Sequence, residues 1–206
     1  MTKRIFIWVA HPKPSSFNAA LAARYAKGAE AKGAEVRTMA LADMQFDQDF
    51  DGYDTPQTLA PDLATWQENI LWADHVMIVH PYWWGAMPAR AKAVLDTALL
   101  SGFAYKYHGK GMGWDKLLEG RTGDAIITSD TPSWIDTLIY RSPGRRVMRN
   151  QVMKFTGIKP RSVVQMGSVK MANPGKTQSW LNKAENIGLR RRNLSPKATG
   201  RLHRGA

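Results

Sequence analysis

The segment HPYWWGAMP at residues 80–88 restricts the fold of this chain more than any other feature. It follows the apolar run VMIV at residues 76–79, which is short and β-branched and therefore predicts a buried strand. Pro81 cannot extend a central strand because it lacks an N–H group, and Pro88 suits the first turn of a helix. A strand-to-helix loop therefore carries three aromatic rings, those of Tyr82, Trp83 and Trp84.

The position of these rings indicates a ligand site. Loops at the carboxyl ends of parallel strands are where open α/β sheets bind ligands. A flat aromatic platform in such a loop indicates a flat, partly apolar ligand such as a flavin ring. The alternative is that the rings only pack beneath a neighbouring helix, and the pattern of the other loops favours the ligand.

Strand-like and helix-like segments alternate along the chain. Strands are predicted at residues 4–10, 35–40, 75–80, 124–129 and 161–167, and helices at residues 18–32, 62–73, 88–99, 145–155 and 176–187. Asp62 is expected to cap the second helix, and residues 43–61, 101–120 and 130–144 are expected to be irregular. This order predicts an α/β fold, a flavodoxin-like three-layer sandwich whose five-stranded parallel sheet has the order 2-1-3-4-5 with helices on both faces.

The loop after the first strand, HPKPSSFN at residues 11–18, has the features of a phosphate site. A strand that runs into a helix presents free N–H groups and the positive end of the helix dipole. Ser15, Ser16 and Asn18 add polar groups, and Lys13 adds positive charge. The alternative is an ordinary capped helix, and neither a P-loop nor a dinucleotide fingerprint is present.

Several motifs occur together in the order and spacing of one known family. They are His11-Pro12, Ser16-Phe17-Asn18, the segment from Pro81 to Pro88 with Trp84, Lys92, and the run GFAYKY at residues 102–107. With these motifs the chain resembles the NAD(P)H:quinone oxidoreductases, which are flavodoxin-like homodimers. The similarity spans roughly residues 5–167.

The resemblance implies which residues hold the flavin, FAD or FMN. The implied cofactor contacts come from three loops: His11, Ser16, Phe17 and Asn18; Pro81, Tyr82, Trp83, Trp84 and Gly85; and Thr128, Ser129 and Asp130. Tyr105 and Tyr107 are implied to line the acceptor pocket from the neighbouring subunit, and Trp134 is a further candidate contact for the acceptor.

The implied reaction is a ping-pong exchange in which NAD(P)H gives hydride to the flavin and a quinone or similar flat acceptor then takes two electrons. Family members with a Tyr/His pair after the fourth strand have a histidine there, whereas residues 124–157 contain none. The candidate proton donors are Tyr105, Tyr140, Asp130 or water. The leading alternative function is a flavodoxin-like regulatory subunit that modulates a partner such as a membrane transporter.

Composition narrows the remaining classes of function. The 206 residues contain no cysteine, which excludes disulfides and thiolate chemistry and fits a cytoplasmic protein, and no run approaches the length of a membrane span. The five histidines show no metal-binding spacing, so no metal is expected.

Half of the net charge of +12 lies in residues 189–206, which we interpret as a basic, disordered tail after a flavin-binding domain at residues 1–188. The tail is either solubilising or a contact for an anionic surface, and no nucleic-acid motif accompanies it.

Overall fold

The chain alternates strands and helices around one parallel sheet. The computed structural model describes residues 2–50, 52–53, 58–109 and 111–190. The strands are β1 (Arg4–Val9), β2 (Glu35–Ala40), β3 (His75–Pro81), β4 (Tyr105–Tyr107), β5 (Trp114–Lys116), β6 (Thr122–Thr128) and β7 (Lys159–Met166). The helices are α1 (Phe17–Glu30), α2 (Pro61–Trp72), α3 (Ala89–Ala98), α4 (Ser133–Leu138), α5 (Pro143–Arg146), which Val147–Lys154 continues as a π-helix, and α6 (Pro174–Leu189).

The sheet has the strand order β2-β1-β3-β6-β7, and every neighbouring pair is parallel. This confirms the predicted order 2-1-3-4-5, since β4 and β5 form a separate two-stranded hairpin inserted before the fourth strand of the sheet. Because parallel strands share one direction, all five carboxyl ends lie along a single edge. The loops that follow β1, β3 and β6 are therefore neighbours.

The sheet separates two apolar layers. Side chains alternate between the faces of a strand, so Phe6 and Trp8 of β1 belong to one core cluster while Ile5, Ile7 and Val9 belong to the other. The first cluster is completed by α2 and α3, and the second by α1 and α6. Central strands buried on both faces explain why the sequence shows continuous apolar runs there.

Three details of the predicted elements were wrong. Residues 101–120 contain the β4–β5 hairpin, whose three-residue strands are too short to show a period. Residues 130–144 contain α4 and the start of α5. Asp62 does not cap α2: Ala60 precedes the helix, and the Asp62 carboxylate accepts the N–H of Gln45 (2.5 Å).

Leu189 is the last residue of α6, and residues 191–206 of the predicted tail lie outside the described residues. In the described part of the chain, no helix combines the length and apolar character needed to cross a bilayer.

Two glycines allow α1 and α6 to cross closely. A methyl group on Gly28 would collide with the carbonyl oxygen of Glu185, and one on Gly188 would collide with the carbonyl oxygen of Tyr25. Backbone atoms cannot yield as a flexible side chain can. The separation of the two helices is therefore fixed by the absence of a side chain at these two positions.

We expect Gly188→Ala to lower the free energy of unfolding by about 1–3 kcal/mol, the usual cost of overpacking, although alanine is the better helix former. The matched control is Gly175→Ala, because Gly175 lies in the same helix and an added methyl group there meets no atom closer than 3.5 Å. Urea unfolding of both variants measures the difference. A Gly188→Ala protein as stable as the Gly175→Ala control would contradict the close crossing.

Candidate functional site

Three loops meet at the carboxyl edge of the sheet. The N–H of Ala10, at the end of β1, donates to the carbonyl oxygen of Val79 in β3 (2.8 Å). The N–H of Tyr82, just after β3, donates to the carbonyl oxygen of Thr128 at the end of β6 (2.7 Å). The hydrogen-bond ladder thus continues to the last residue of each strand, and it places the loops that follow β1, β3 and β6 side by side.

The first loop is a capped helix start. The Ser16 hydroxyl accepts the N–H of Ala19 (3.2 Å), and Ser16 precedes the first residue of α1. The N–H of Lys13 donates to Nδ1 of His11 (2.9 Å), and partial burial lowers the pKa of His11, which favours the neutral ring that accepts this bond. The ring of Phe17 packs on Trp180 of α6 (6.0 Å between centroids). Ser16 is therefore a cap, as the alternative interpretation expected, and the N–H groups of Phe17 and Asn18 point out of the first turn.

Asn18 joins the first loop to the third. Its side chain is buried, and its Oδ1 accepts the hydroxyl of Thr128 (2.7 Å). The amide nitrogen Nδ2 is also buried and has no hydrogen-bond partner among the described residues. A buried donor without a partner costs stability, so Nδ2 of Asn18 is a polar group that the described residues leave unsatisfied.

The second loop is a tight reversal that exposes a tryptophan. Trp83 and Ala86 exchange two backbone hydrogen bonds (2.8 and 2.9 Å), and the residues between them, Trp84 and Gly85, have φ values of 49° and 82°. Positive φ suits glycine but is unfavourable for tryptophan. The side chain of Trp84 is nevertheless fully exposed, while the Trp83 ring meets His11 edge-on (5.5 Å between centroids). The exposed position of the Trp84 indole therefore comes with an unfavourable backbone conformation, which costs conformational energy.

Tyr82 takes a different direction from the two tryptophans. Its ring packs on Gly144 at the start of α5, where an added Cβ would come within 2.6 Å of the tyrosine ring. Desolvation by burial raises the pKa of the Tyr82 hydroxyl, and the nearby carboxylate of Asp136 raises it further. Tyr82 thus forms a wall between the loop and α5. The sequence grouped all three aromatic residues as one platform, whereas the structure separates Tyr82 from Trp83 and Trp84.

The side chains of the third loop hold the loop itself. The Ser129 hydroxyl donates to the carbonyl oxygen of Thr131 (3.0 Å) and accepts Nε2 of Gln165 (2.9 Å). The Asp130 carboxylate accepts the N–H of Lys170 (3.0 Å). These bonds fix the backbone beside Asn18, and the Ser129 N–H is engaged as well, since it donates to the carbonyl oxygen of Met166 (3.0 Å).

Tyr105 and Tyr107 line a cavity of about 420 Å³ whose wall also includes Gly85, Ala86 and Met87 of the second loop. Their rings are 5.1 Å apart, and Tyr105 also packs on Phe155 (5.1 Å). Burial is the main cause that raises the pKa of the Tyr105 hydroxyl. Within one chain, the ring contacts of Tyr105 are therefore with Tyr107 and Phe155 and not with the tryptophans. The remaining candidates, Trp134 and Tyr140, are exposed on and just after α4.

His80, for which no function was predicted from the sequence, lies in the wall of the same cavity. The ring is buried, its Nδ1 is bonded to the carbonyl oxygen of Pro81 (2.8 Å), and its Nε2 has no partner among the described residues. Burial lowers the pKa of His80 to about 4. The signal in the sequence was a titratable residue at the carboxyl end of an otherwise apolar strand. Across the described ranges, no group of three histidine or acidic side chains is arranged to hold a metal ion.

Comparison with known proteins agrees with this architecture. Residues 3–187 match the model of a protein family described as having a flavodoxin-like fold. A solved structure of a protein from Streptococcus mutans UA159 superposes with a TM-score of 0.79 at 27% identity, covering 90% of this chain and 98% of that one.

Two curated relatives carry functional names. A ribosyldihydronicotinamide dehydrogenase-like protein of Penicillium crustosum is 29% identical over 66% of this chain and 57% of its own length. An uncharacterized NAD(P)H oxidoreductase of Haemophilus influenzae is 31% identical over 58% of this chain and 60% of its own length. The chain therefore aligns with less than two thirds of each of these relatives.

The burial of His80 predicts a pH-dependent stability. The unfolded histidine takes up a proton near its ordinary pKa of 6.5, whereas the folded one remains neutral down to about 4. The unfolded state binds more protons between these values, so the free energy of unfolding decreases as the pH falls from 6.5 to 4, by about 3 kcal/mol from this group. Denaturant unfolding at a series of pH values measures this decrease.

The matched variants are His80→Phe and His108→Phe. The first removes the buried titrating ring, so its stability should decrease less between pH 6.5 and 4 than that of the wild type. The second replaces a histidine whose side chain is half exposed and serves as the matched control. Identical pH profiles for wild type and His80→Phe would show that His80 titrates normally in the fold.

Proposed function

Because the chain belongs to the family with the flavodoxin-like fold that matches residues 3–187, we propose that it is a flavin-dependent oxidoreductase. It transfers hydride from NAD(P)H through a bound flavin, FMN or FAD, to a quinone or similar flat acceptor. The observation that carries this proposal is the buried, unpartnered Nδ2 of Asn18, which lies at the start of α1 between the loops that follow β1 and β6. It is the kind of donor that a phosphate oxygen would satisfy.

The first loop holds the phosphate end of the flavin. The N–H groups of Phe17 and Asn18, the side-chain amide of Asn18 and the positive end of the α1 dipole all favour an anion. Lys13 adds a positive charge to the same loop. A net charge of +12 on the whole chain further favours anionic cofactors and co-substrates.

The second loop holds the ring system. Trp84 stands fully exposed on a turn with positive φ, and a bound flat ligand would recover the apolar surface that this geometry leaves in water. Gly85 has no side chain, so the backbone N–H groups of the turn can approach the polar edge of a ring. The third loop, held by Ser129 and Asp130, closes the other edge.

When bound, the flavin supplies the hydride-accepting chemistry, and this chain supplies position, electrostatics and exclusion of water. Hydride transfer requires the reacting atoms to be held near contact distance, and the stacking surfaces of Trp83 and Trp84 serve that purpose. The names of the Penicillium and Haemophilus relatives support a reduced nicotinamide as the electron donor. For the proton donor, Asp130 is less suited than Tyr105, Tyr140 or water, since its carboxylate already accepts the Lys170 N–H.

We also propose that the protein is a homodimer in the cytoplasm. Within one chain Tyr105 and Tyr107 already line one cavity with Gly85, and the family resemblance implies that these tyrosines line the acceptor pocket of a neighbouring subunit. Leu138, Ile139, Tyr140 and Val147 form an exposed apolar region beside α4 and α5 that suits such an interface. The absence of cysteine fits a reducing compartment.

The decisive experiment identifies the cofactor. The purified protein should be yellow, release FMN or FAD on heating as identified by chromatography, and lose its flavin absorbance on addition of NAD(P)H. Turnover with menadione then separates an enzyme from a flavin-binding regulatory subunit, because a subunit of that kind has no need of rapid reoxidation. A colourless protein that binds neither flavin would refute the proposal.

We expect Trp84→Ala to weaken flavin binding about tenfold, since aromatic stacking and burial on this indole contribute about 1–2 kcal/mol. The fold should be unaffected because the side chain is fully exposed in the chain itself. Leu71→Ala, an exposed apolar residue on α2, is the control and should leave the affinity unchanged. Titration of the flavin-free proteins with FMN, followed by fluorescence, measures both. Equal affinities of Trp84→Ala and wild type would remove the second loop from the site.

The two-step exchange predicts parallel double-reciprocal lines when NAD(P)H is varied at several fixed concentrations of quinone. Parallel lines arise because the oxidised nicotinamide leaves before the acceptor enters the same site. Initial-rate measurements with menadione check this expectation. Lines that intersect would mean that donor and acceptor are bound together, and would exclude exchange at a single site.

A further inference from the structure

The positive charge of this chain is concentrated at one end of the sheet. Residues 1–136 contain 13 basic and 16 acidic residues, whereas residues 137–206 contain 16 basic residues and a single acidic one, Glu185. From α5 onward the described chain forms α5 with its π-helical continuation, β7 and α6, and β7 is the end strand of the sheet. The excess of basic side chains therefore belongs to the elements around β7, at the end of the sheet opposite β2.

The basic side chains around the start of β7 are not neutralised by their neighbours. They are the exposed residues Lys154 of the π-helix, Lys159 and Arg161 of β7, Lys183 of α6 and Arg190, which follows α6. Within the described ranges, none of these five side chains lies within ion-pair distance of a carboxylate. Glu185 pairs instead with Arg24 and Lys27 of α1 (2.8 and 3.8 Å). A group of unpaired cations of this kind attracts an anionic partner.

A groove of about 750 Å³ lies between β7 and α6 at this end of the sheet. Ser162 and Val164 form its strand side, and Lys183 and Arg190 bring positive charge to its helix side. The helix side also carries three exposed side-chain amides, those of Gln178, Asn182 and Asn186. The groove can therefore offer hydrogen bonds as well as positive charge.

The spacing of the three amides suits an extended polypeptide. They follow one another at intervals of four residues, about 6 Å along the helix axis, so they form one stripe on α6. An extended chain repeats every two residues, a distance of about 6.6 Å. Nε2 of Gln178 donates to Oδ1 of Asn182 (2.8 Å), which leaves an acceptor on Gln178 and a donor on Asn182 for a ligand. A peptide backbone carries both kinds of group, so the stripe can bond to every second peptide unit of one chain.

We propose that the groove between β7 and α6 binds an extended, acidic segment of another protein. The amides of α6 hold the backbone of this segment, and Lys183 and Arg190, together with Arg161 next to Ser162 in β7, pair with its carboxylates. None of the residues that line the groove belongs to the loops that follow β1, β3 and β6. The inference therefore goes beyond the proposed function and requires neither flavin nor NAD(P)H.

A polypeptide fits this groove better than a nucleic acid does. Sites for single-stranded nucleic acid combine positive charge with exposed aromatic rings on which the bases stack. Trp180 is the single aromatic residue of β7 and α6, and its side chain is buried. A phosphate backbone also offers acceptors only, so it leaves the carbonyl oxygens of the amide stripe without donors.

The first test compares two peptides that differ in charge. A fluorescent peptide of about eight residues in which glutamate and threonine alternate should bind the purified full-length protein at least about tenfold more tightly than its glutamine–threonine counterpart. The reason is that only the carboxylates pair with the cations of the groove. Fluorescence anisotropy at low salt measures both affinities, and added salt should reduce the difference. Equal affinities of the two peptides would overturn the proposal.

Charge variants locate the site on the surface. Lys183→Glu should weaken binding of the glutamate peptide at least about tenfold. Lys32→Glu makes the same change of charge at an exposed lysine just before β2, and should have a much smaller effect. Equal losses in the two variants would mean that the peptide is attracted to the whole surface and not to the groove.

Amide variants test the contact with the peptide backbone. Asn182→Leu keeps every charge and should weaken binding of the glutamate peptide about threefold or more, because it removes a hydrogen-bonding group. Asn150→Leu, a change at an exposed asparagine of the π-helix, is the matched control and should retain the wild-type affinity. An unchanged affinity in Asn182→Leu would refute the role of the amide stripe.

A measurement on the wild-type protein keeps the test independent of how well the variants fold. With uniform nitrogen-15 labelling, the side-chain amide resonances of Asn182 and Asn186 should shift on addition of the glutamate peptide, and that of Asn150 should stay in place. If the resonances of Asn182 and Asn186 do not move at saturating peptide, the peptide does not occupy the groove.

Two controls separate this inference from its neighbours. An oligothymidylate of the same charge should bind more weakly than the glutamate peptide, and tighter binding would show that the partner is a nucleic acid. Affinity for the glutamate peptide should be the same with and without bound flavin. A yellow, active protein without the peptide preference would refute this inference alone, and a colourless, inactive protein that retains it would refute the proposed function alone.

Discussion

The parallel register of β1, β3 and β6 is the constraint on which the other features depend. Hydrogen bonds continue to the last residue of these strands, so the three loops that follow them start from fixed positions only one strand spacing apart. Asn18 and Thr128 then join the first loop to the third through a side-chain bond. A slip of one residue would turn His80 to the opposite face and separate Asn18 from its partner. Register therefore determines both the apolar layers and the geometry of the candidate site.

The sequence was a good guide to elements that repeat a pattern and a poor one to elements that do not. Apolar runs and Pro81 located β3 and its loop correctly, because a strand buried on both faces leaves a clear signal. The β4–β5 hairpin has three residues per strand, and α4 has six, and neither length shows a period. From the sequence, Asp62 was expected to cap α2, but its carboxylate accepts the N–H of Gln45. The path of the preceding loop sets this contact.

For the candidate site, too, the sequence predicted some features and missed others. The residue types and their order predicted that three loops would meet at one edge of the sheet, and the strand order confirms this. Sequence alone could not separate Tyr82 from Trp83 and Trp84, because adjacent residues differ in direction only through backbone angles, here the positive φ of Trp84 and Gly85. Nor could the sequence identify His80, because the surroundings of this ring depend on its hydrogen bond to the Pro81 carbonyl group and on the cavity beside it.

The close crossing of α1 and α6 has a consequence for how the protein matures during its synthesis. Helix α1, which follows the first loop, comes early in the chain, yet α6, the helix that crosses it, is the last helix of the described residues. A nascent polypeptide that has not yet emerged past residue 189 exposes the apolar side of α1 and has no fixed platform for its first turn. A polypeptide cut before α6 therefore exposes apolar side chains of α1 and is prone to aggregate.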